Sequence, residues 1–217
     1  MIQKVKKINK AFILAGGAGS RMRLDNRYNL KAFIEINGEQ LLKRHIRLIK
    51  NYLNPEKIYV VITKYNDLFQ KSIKNFNGVE LIFNEKISNK KGLELLLAIK
   101  NINKIIDQDE KFLLTLVDEY YDENDFKDFC KVINNKDFSL LVGIKKFIFP
   151  DEYIKNYAVT IDEKNQIVKN SIEKSNKIIS EHFGTGLICL NKNFTELIVE
   201  NLKNNIKTPL FSLINKT

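Results

Sequence analysis

Glycines and cationic side chains occur close together near the beginning of this 217-residue chain. The segment reads Leu14, Ala15, Gly16, Gly17, Ala18, Gly19, Ser20 and Arg21, and Lys31 follows it. Glycine lets the backbone turn sharply, and consecutive backbone N–H groups in such a loop form a concave anion site. A guanidinium and an ammonium supply the positive charge that a triphosphate needs. We therefore predict that residues 14–21 and Lys31 bind a nucleoside triphosphate.

The order of these residues differs from that of two common phosphate loops. The segment lacks the Gly-Lys-Ser/Thr of a P-loop. It also lacks the third glycine of a dinucleotide fingerprint, and Arg21 occupies the position where a helix should begin. A tight strand–helix turn with incidental basic residues is the alternative interpretation. The combination of glycines, Ser20, Arg21 and Lys31 favours the triphosphate site.

Asp118 is a second candidate for chemistry. It directly follows the apolar run 112–117 and begins an acidic cluster that ends at Asp122. Open α/β sheets bind their ligands beyond the carboxyl ends of the strands, which is where Asp118 is expected. A helix N-cap or an ordinary loop carboxylate is the alternative interpretation.

The hydrophobic pattern predicts the elements that position these residues. In the first part, strands are predicted at 11–15, 33–37, 58–63, 79–84 and 112–117, and helices at 39–52, 66–76 and 93–106. After Phe138 the pattern predicts strands at 138–143, 158–162, 167–172 and 183–190, and a helix at 194–202. Alternating strands and helices indicate an α/β fold, with a Rossmann-like, mixed but mostly parallel sheet flanked by helices.

Composition limits the functional classes. The net charge of +10 is spread along the chain, and no nucleic-acid-binding motif accompanies it, so we expect a solvated basic surface and no nucleic-acid partner. Cys130 and Cys189 lack metal-ligand spacing and are expected to be buried thiols, while His45 and His182 offer no metal pair. No apolar stretch is long enough for a membrane span, and we expect a cytoplasmic protein.

The segment 14–21 resembles the signature of the sugar-phosphate and alcohol-phosphate nucleotidyltransferases. The similarity extends to Lys31-Ala32-Phe33 and to Asn37-Gly38-Glu39-Gln40-Leu41-Leu42. Within that superfamily the chain most resembles the inositol-1-phosphate cytidylyltransferase domain of di-myo-inositol-phosphate synthesis. The resemblance continues in order through Asn84, Gly92-Leu93, Ala98, the run 112–118 and Thr185-Gly186.

The resemblance implies a fold of the nucleotide-diphospho-sugar transferase type and one reaction. A phosphate oxygen of an acceptor attacks the α-phosphorus of a nucleoside triphosphate, and pyrophosphate leaves. The most similar relatives imply transfer of CMP from CTP to a phosphorylated alcohol or sugar such as inositol-1-phosphate. We expect one nucleotidyltransferase domain over 1–217, with a nucleotide-binding half at about 8–135 and an acceptor-binding half at about 136–217.

The same resemblance implies residue roles. Arg21, on the β- and γ-phosphates, and Lys31, near the α-phosphate, are the expected catalytic residues. Asp118 is expected to bind Mg²⁺, a hard ion that takes carboxylate and phosphate oxygens. The expected nucleotide-binding residues are Leu14, Ala15, Gly16, Gly17, Ala18, Gly19, Ser20, Asn84 and Gly92. The expected acceptor-binding residues are Lys174, Thr185 and Gly186, with a surface lysine as the alternative interpretation of Lys174.

Several positions depart from the family pattern. Leu30 stands where a proline usually precedes the lysine, and Lys91 and Glu94 replace a small polar pair beside the base. Glu119 replaces the residue that usually follows the metal aspartate, and Gly184 stands where a carboxylate is common. The charge of Glu94 would repel a triphosphate.

The chain ends before a final segment with an Asp-x-Asp-Thr pattern that relatives carry. Either the chain is trimmed from a longer, bifunctional protein fused to a downstream enzyme, or the site is degenerate. The second metal aspartate of the relatives is expected in that final segment, and Glu181 or Asp162 is the candidate that could replace it. A guanylyl- or uridylyltransferase and a catalytically weak nucleotide-binding regulatory module are the alternative functions. The acceptor and the oligomeric state are left open.

Overall fold

The computed structural model describes residues 8–16, 30–63, 66–84, 93–135, 138–146, 157–162, 164, 167–173 and 180–203. Its strands are β1 (Lys10–Leu14), β2 (Glu35–Ile36), β3 (Glu39–Gln40), β4 (Lys57–Ile62), β5 (Val79–Phe83), β6 (Lys111–Leu116), β7 (Leu140–Lys146), β8 (Tyr157–Asp162), β9 (Ile167–Glu173) and β10 (His182–Asn191). Its helices are α1 (Leu41–Tyr52), α2 (Asn66–Ile73), α3 (Leu93–Ile102), α4 (Glu123–Asn135) and α5 (Lys192–Lys203), and a 3₁₀ turn spans Lys31–Phe33.

The first half of the chain builds a parallel sheet in the order β5-β4-β1-β6. In register, Leu14 of β1 lies beside Val61 of β4 on one side and beside Leu116 of β6 on the other. The chain leaves β1 toward β4 and β5, and later returns to the opposite side of β1 to form β6. The carboxyl end of β1 is therefore a topological switch point, where crevices for ligands form in such sheets.

The second half extends this sheet with antiparallel strands. β10 pairs antiparallel with β6, with β7 and, at Phe183, with β8, and β9 pairs with β8. The register of β10 against β7 shifts between Gly184 and Ile188, so β10 carries an irregularity beside the end of β6. The predicted mixed sheet flanked by helices is confirmed, with its parallel part in the first half.

Alternating side chains of β1 separate two cores. Ala11 and Ile13 pack in a cluster with α1, α2 and α4, whereas Phe12 points to the other face and packs with α3 and α5. The period of two along the strand thus explains why helices cover both faces. Phe12 is fully buried, and burial of such a side chain stabilises the fold by roughly 1.5–3 kcal/mol.

Helix α4 is the main element that the sequence interpretation did not predict. Its apolar side chains Phe126, Cys130 and Ile133 recur at helical spacing and are buried. The carboxylate of Asp122 accepts hydrogen bonds from the backbone N–H groups of Asn124 at 2.8 Å and Asp125 at 3.4 Å. Asp122 therefore caps the helix. The predicted turn at Asn37-Gly38 is a two-residue hairpin between β2 and β3, in which both residues have positive φ.

Both cysteines are free and buried, as predicted. Among the described helices, none has the length and apolar character needed to cross a bilayer.

Candidate active site

The carboxyl end of β1 is held by its two neighbouring strands. Ala15 N–H donates to the carbonyl of Val61 at 2.8 Å, and the hydroxyl of Thr63 donates to the carbonyl of Gly16 at 2.8 Å. A Cβ atom built on Gly16 would lie 2.8 Å from Thr63 Cγ2, so a side chain at this position would clash. Glycine is therefore required here by the close approach of the chain that leaves β4.

The carboxyl end of β6 lies directly beside the end of β1. Val117 N–H donates to the carbonyl of Leu14 at 3.1 Å, which extends the pairing of the two strands past their ends. The next residue, Asp118, leaves the sheet, and its carboxylate oxygen lies 2.5 Å from Lys31 Nζ. The expected catalytic lysine and the expected metal ligand therefore contact each other, at the switch point of the sheet.

Lys31 is positioned by the apolar residues around it. Ala32 is buried, and Leu30 and Phe33 pack against the larger core. The 3₁₀ turn closes with a 2.9 Å hydrogen bond from Phe33 N–H to the carbonyl of Leu30. Lys31 points away from this anchor, with 23% of its side chain exposed against 40% for Asp118. Both charged groups are therefore accessible to a ligand.

Glu119 connects this site to β10. Its carboxylate oxygens lie 2.8 and 2.9 Å from the backbone N of Gly186, whose N–H they share. Burial, and then the charge of Asp118, raise the pKa of the Glu119 carboxyl above its usual value. The hydrogen bond from Gly186 acts in the opposite direction because it favours the carboxylate.

Two polar residues of α1 hold the segment that follows Asp118. His45 is buried and its Nε2 lies 2.9 Å from the carbonyl oxygen of Glu119, while its Nδ1 lies 3.1 Å from the hydroxyl of Thr115. Burial lowers the pKa of His45 to about 4, so its ring is neutral at pH 7. Because a carbonyl only accepts, Nε2 carries the proton and Nδ1 accepts from Thr115. Arg44 donates to the carbonyl of Tyr121 at 2.9 Å.

The sequence interpretation missed these roles of Arg44 and His45. His45 fits the helical spacing of the apolar positions of α1, so the spacing alone does not distinguish it from them. A polar side chain on the buried face of a helix needs a partner, and this was the signal that could have singled out His45. It did not identify the partner, since Glu119 lies 74 positions away.

Asn84 lies at the same edge of the sheet, immediately after β5. Its backbone N–H donates to the carbonyl of Ile62 at 2.7 Å, and its side-chain oxygen accepts from the amide of Asn101 at 2.6 Å. The side chain is nearly fully buried. This expected nucleotide-binding residue is therefore held between β4 and α3.

Thr185 and Gly186, the expected acceptor-binding pair, lie in the irregular part of β10. The buried hydroxyl of Thr185 donates to the carbonyl of Gly143 at 3.0 Å. A Cβ atom built on Gly186 would lie 2.5 Å from Leu116 Cγ, so close packing of β10 against β6 requires glycine. Both residues have structural roles, and acceptor binding by them stays a prediction.

The remaining expected site residues lie outside the described part of the chain. They are Gly17, Ala18, Gly19, Ser20, Arg21, Gly92 and Lys174. The departures at Lys91 and at the side chain of Glu94 lie outside it too.

Asp118 fits a Mg²⁺ site that is completed by substrate. The carboxylate is a hard oxygen donor, it is accessible, and it already faces a cation, the ammonium of Lys31. In the described residues no group of three His, Cys, Asp or Glu side chains could hold a metal ion. Mg²⁺ commonly binds through one or two carboxylates together with substrate phosphates and water, and a single accessible carboxylate meets that need.

Comparison with known proteins identifies the family of this chain. The nucleotidyl transferase family model matches residues 10–213. A search of the curated proteins gave no match.

Solved structures of three enzymes share the fold at low sequence identity. The inositol-1-phosphate CTP transferase from T. maritima is 21% identical with a TM-score of 0.67, over 88% of this chain and 74% of that one. A putative glucose-1-phosphate thymidylyltransferase from Bacillus anthracis, in complex with a sucrose, is 16% identical with a TM-score of 0.74, over 95% and 81%. A UDP-glucose pyrophosphorylase complexed with UDP-glucose is 15% identical with a TM-score of 0.71, over 97% and 88%.

The strand order, the switch point with its Lys31–Asp118 contact and the family match over nearly the whole chain lead to one conclusion. This chain belongs to the nucleotidyl transferase family and is a nucleotidyltransferase.

Proposed function

We propose that this enzyme transfers CMP from CTP to a phosphorylated alcohol or sugar such as inositol-1-phosphate, and releases pyrophosphate. The observation that carries the proposal is the contact between Lys31 and Asp118 at the switch point beside Leu14. A cation and a metal-binding carboxylate in contact at this edge are what an α-phosphate under attack requires.

In this reaction the protein forms no covalent bond to either substrate. An oxygen of the acceptor phosphate forms a bond to the α-phosphorus, and the bond from the α-phosphorus to the bridging oxygen of pyrophosphate breaks. A phosphate monoester is already anionic at pH 7, because its second pKa is about 6. No general base is then needed, which agrees with the use of neutral His45 for holding a loop.

Each residue then has a defined task. Lys31 neutralises charge that develops at the α-phosphate, and Arg21 binds the β- and γ-phosphates. Asp118 holds Mg²⁺, which would supply Lewis-acid stabilisation of the phosphate oxygens. Enzymes of this family generally use divalent metals, which supports the assignment. Positioning and charge neutralisation supply most of the rate enhancement in this scheme.

The choice of CTP rests on the sequence resemblance and on the fold shared with the T. maritima enzyme. The putative glucose-1-phosphate thymidylyltransferase and the UDP-glucose pyrophosphorylase share the same fold. The cytoplasm as location, and the division into a nucleotide-binding half and an acceptor-binding half, likewise rest on the sequence.

A substrate matrix tests the proposal. CTP, UTP, GTP and ATP are each combined with Mg²⁺ and with inositol-1-phosphate, phosphocholine or glucose-1-phosphate, and pyrophosphate release is measured. Mass spectrometry of the product checks that the nucleoside monophosphate has been transferred intact. Asp118→Asn, which keeps the side-chain shape but removes the charge, is the control.

We expect the highest rate with CTP and inositol-1-phosphate, and loss of that rate in Asp118→Asn. A higher rate with UTP or GTP and glucose-1-phosphate would replace the proposed substrates with those of a uridylyl- or guanylyltransferase. Absence of pyrophosphate with every pair would refute the proposed transfer.

A further inference from the structure

Glu119 forms hydrogen bonds to two different elements, one through its side chain and one through its backbone. Its carboxylate accepts the N–H of Gly186 at 2.8 and 2.9 Å, and its backbone carbonyl accepts from His45 Nε2 at 2.9 Å. Strand β6 ends at Leu116, three residues before Glu119. Through these two hydrogen bonds Glu119 links the segment that follows β6 to α1 and to β10. The residue before it is Asp118.

The partner on β10 is itself rigidly placed. Gly186 lies so close to Leu116 that a Cβ atom would come within 2.7 Å of three Leu116 side-chain atoms. The neighbouring Thr185 hydroxyl donates to Gly143 of β7 at 3.0 Å. The N–H of Gly186 is therefore a fixed donor, and a group that binds it acquires a fixed position.

We propose that Glu119 is a positioning residue that fixes the position of Asp118 relative to the irregular segment of β10. In this way it fixes the distance between the part of the site that binds the nucleotide and the part that binds the acceptor. The inference rests on the proposed function, in which Asp118 binds the metal, and on the prediction from the sequence that Thr185 and Gly186 bind the acceptor. Glu119 touches neither substrate in this scheme. It acts through the hydrogen bond to Gly186, and its charge is not required.

This distinction can be tested because one N–H is shared by two carboxylate oxygens. Glutamine at this position keeps one oxygen that can accept the same hydrogen bond but has no charge. Alanine keeps neither. A metal-binding role of Glu119 would require the charge, whereas a positioning role requires only the acceptor oxygen.

The kinetic test compares Glu119→Gln and Glu119→Ala with wild type, using the best pair from the substrate matrix. We expect Glu119→Gln to stay within about threefold of the wild-type kcat/KM for the acceptor. We expect Glu119→Ala to lose about 100-fold, because small misplacements of reacting groups cost that much. The Kd for the nucleotide is expected to change by less than about threefold in either variant. Glu196→Gln, an exposed carboxylate on α5, is the matched control.

The second test does not depend on turnover. Amide hydrogen exchange of the peptide that contains Gly186 is measured by mass spectrometry in the same variants. Glu119→Ala should exchange faster there than wild type, with no change in a peptide from α5, and Glu119→Gln should match wild type. If no substrate pair gives pyrophosphate, the proposed function fails, and this exchange pattern still decides whether Glu119 holds the two segments together.

Three results would overturn the inference. Equal damage in Glu119→Gln and Glu119→Ala would assign the role to the charge. Wild-type kinetics and exchange in Glu119→Ala would show that the contact positions nothing. If Glu119→Ala lost as much nucleotide affinity as acceptor kcat/KM, the substitution would disturb the whole site and not the position of one part relative to the other.

Discussion

At the scale of single residues, the site depends on charges whose positions are set by apolar neighbours. Lys31 extends from a turn that is anchored by buried Ala32, and it meets Asp118 at 2.5 Å. Both groups are partly exposed, so their mutual attraction contributes little to the free energy of unfolding. We therefore expect substitutions here to affect transfer much more than folding.

Lys31→Ala should lower kcat at least about 100-fold, as expected for removal of one group that stabilises transition-state charge, while the Tm stays within a few degrees. Steady-state pyrophosphate release and thermal denaturation measure the two effects. Lys43→Ala, an exposed lysine on α1, is the control and should retain its activity. Near-normal turnover in Lys31→Ala would refute the role assigned to this lysine.

His45 should make the free energy of unfolding depend on pH. Its pKa is about 4 in the folded protein and about 6.5 when unfolded, so the unfolded chain takes up a proton first as the pH falls. The contribution is complete above about pH 6.5 and is lost between about pH 6.5 and 4, with a total of about 3 kcal/mol. The charges that also act on His45 are those of Arg44 and Asp118, which oppose each other.

Urea denaturation at pH 7.5, 5.5 and 4.5 measures this effect. His45→Gln, whose amide N–H can still donate to the carbonyl of Glu119, should show a weaker decrease than wild type over that range. Titrating carboxylates are common to both proteins and cancel in the comparison. Identical pH profiles for the two proteins would contradict the buried, neutral state of His45.

At the scale of elements, α1 and α4 support the segment after β6 from one face of the sheet. The N-cap at Asp122 fixes where α4 begins, directly after this segment. Asp122→Ala should reduce the free energy of unfolding by about 1 kcal/mol, because two backbone N–H groups of the first turn lose their acceptor.

Equilibrium unfolding in urea measures this loss. Asp128→Ala is the control. Asp128 lies on the exposed side of α4 and forms an ion pair with Lys131, and the two side chains are 69% and 61% exposed, respectively. It should cost less than about 0.5 kcal/mol. Equal effects of the two substitutions would show that Asp122 does not cap the helix.

The sequence predicted the elements whose apolar pattern is strong. β1 was recognised as a short continuous apolar run, 11–15, that is closed by glycines, and α1 was recognised because its apolar residues recur every three to four positions. Helix α4 was missed because its N-cap, Asp122, was assigned to the acidic cluster that begins at Asp118. Asp122 and the first-turn acids Glu123 and Asp125 are residues that favour a helix start.

The site was predictable only in part. Family-like motifs pointed to Lys31 and Asp118, and the structure brings them into contact. The link from Glu119 to Gly186 spans 67 positions and depends on a local irregularity in β10, which no local pattern reveals. The reason for glycine at position 186 likewise appears only when Leu116 is seen against it.

At the scale of the whole molecule, the two halves of the sheet meet at the site. The parallel strands supply the switch point, and the antiparallel strand β10 closes against β6 beside Asp118. The net charge of +10 adds a positive field that favours polyanionic substrates over neutral ones.

Nucleotide binding should raise the stability of the whole chain. A ligand at about 100 times its Kd adds about 2.7 kcal/mol to the free energy of unfolding. With Mg²⁺ present and equal concentrations, we expect CTP to raise the Tm more than UTP, GTP or ATP. Thermal denaturation with each nucleotide measures the order. A larger shift with another triphosphate would contradict the proposed base preference.

The central claim is that Lys31 and Asp118 form the wall of a triphosphate site next to residues 14–21. A crystal structure with a non-hydrolysable CTP analogue and Mn²⁺ in place of Mg²⁺ tests it most directly. We predict an anomalous Mn²⁺ peak bonded to a carboxylate oxygen of Asp118 at roughly 2.0–2.3 Å, with the nucleotide phosphates against residues 14–21 and Lys31. A nucleotide bound elsewhere, or a Mn²⁺ ion that does not contact Asp118, would contradict the claim.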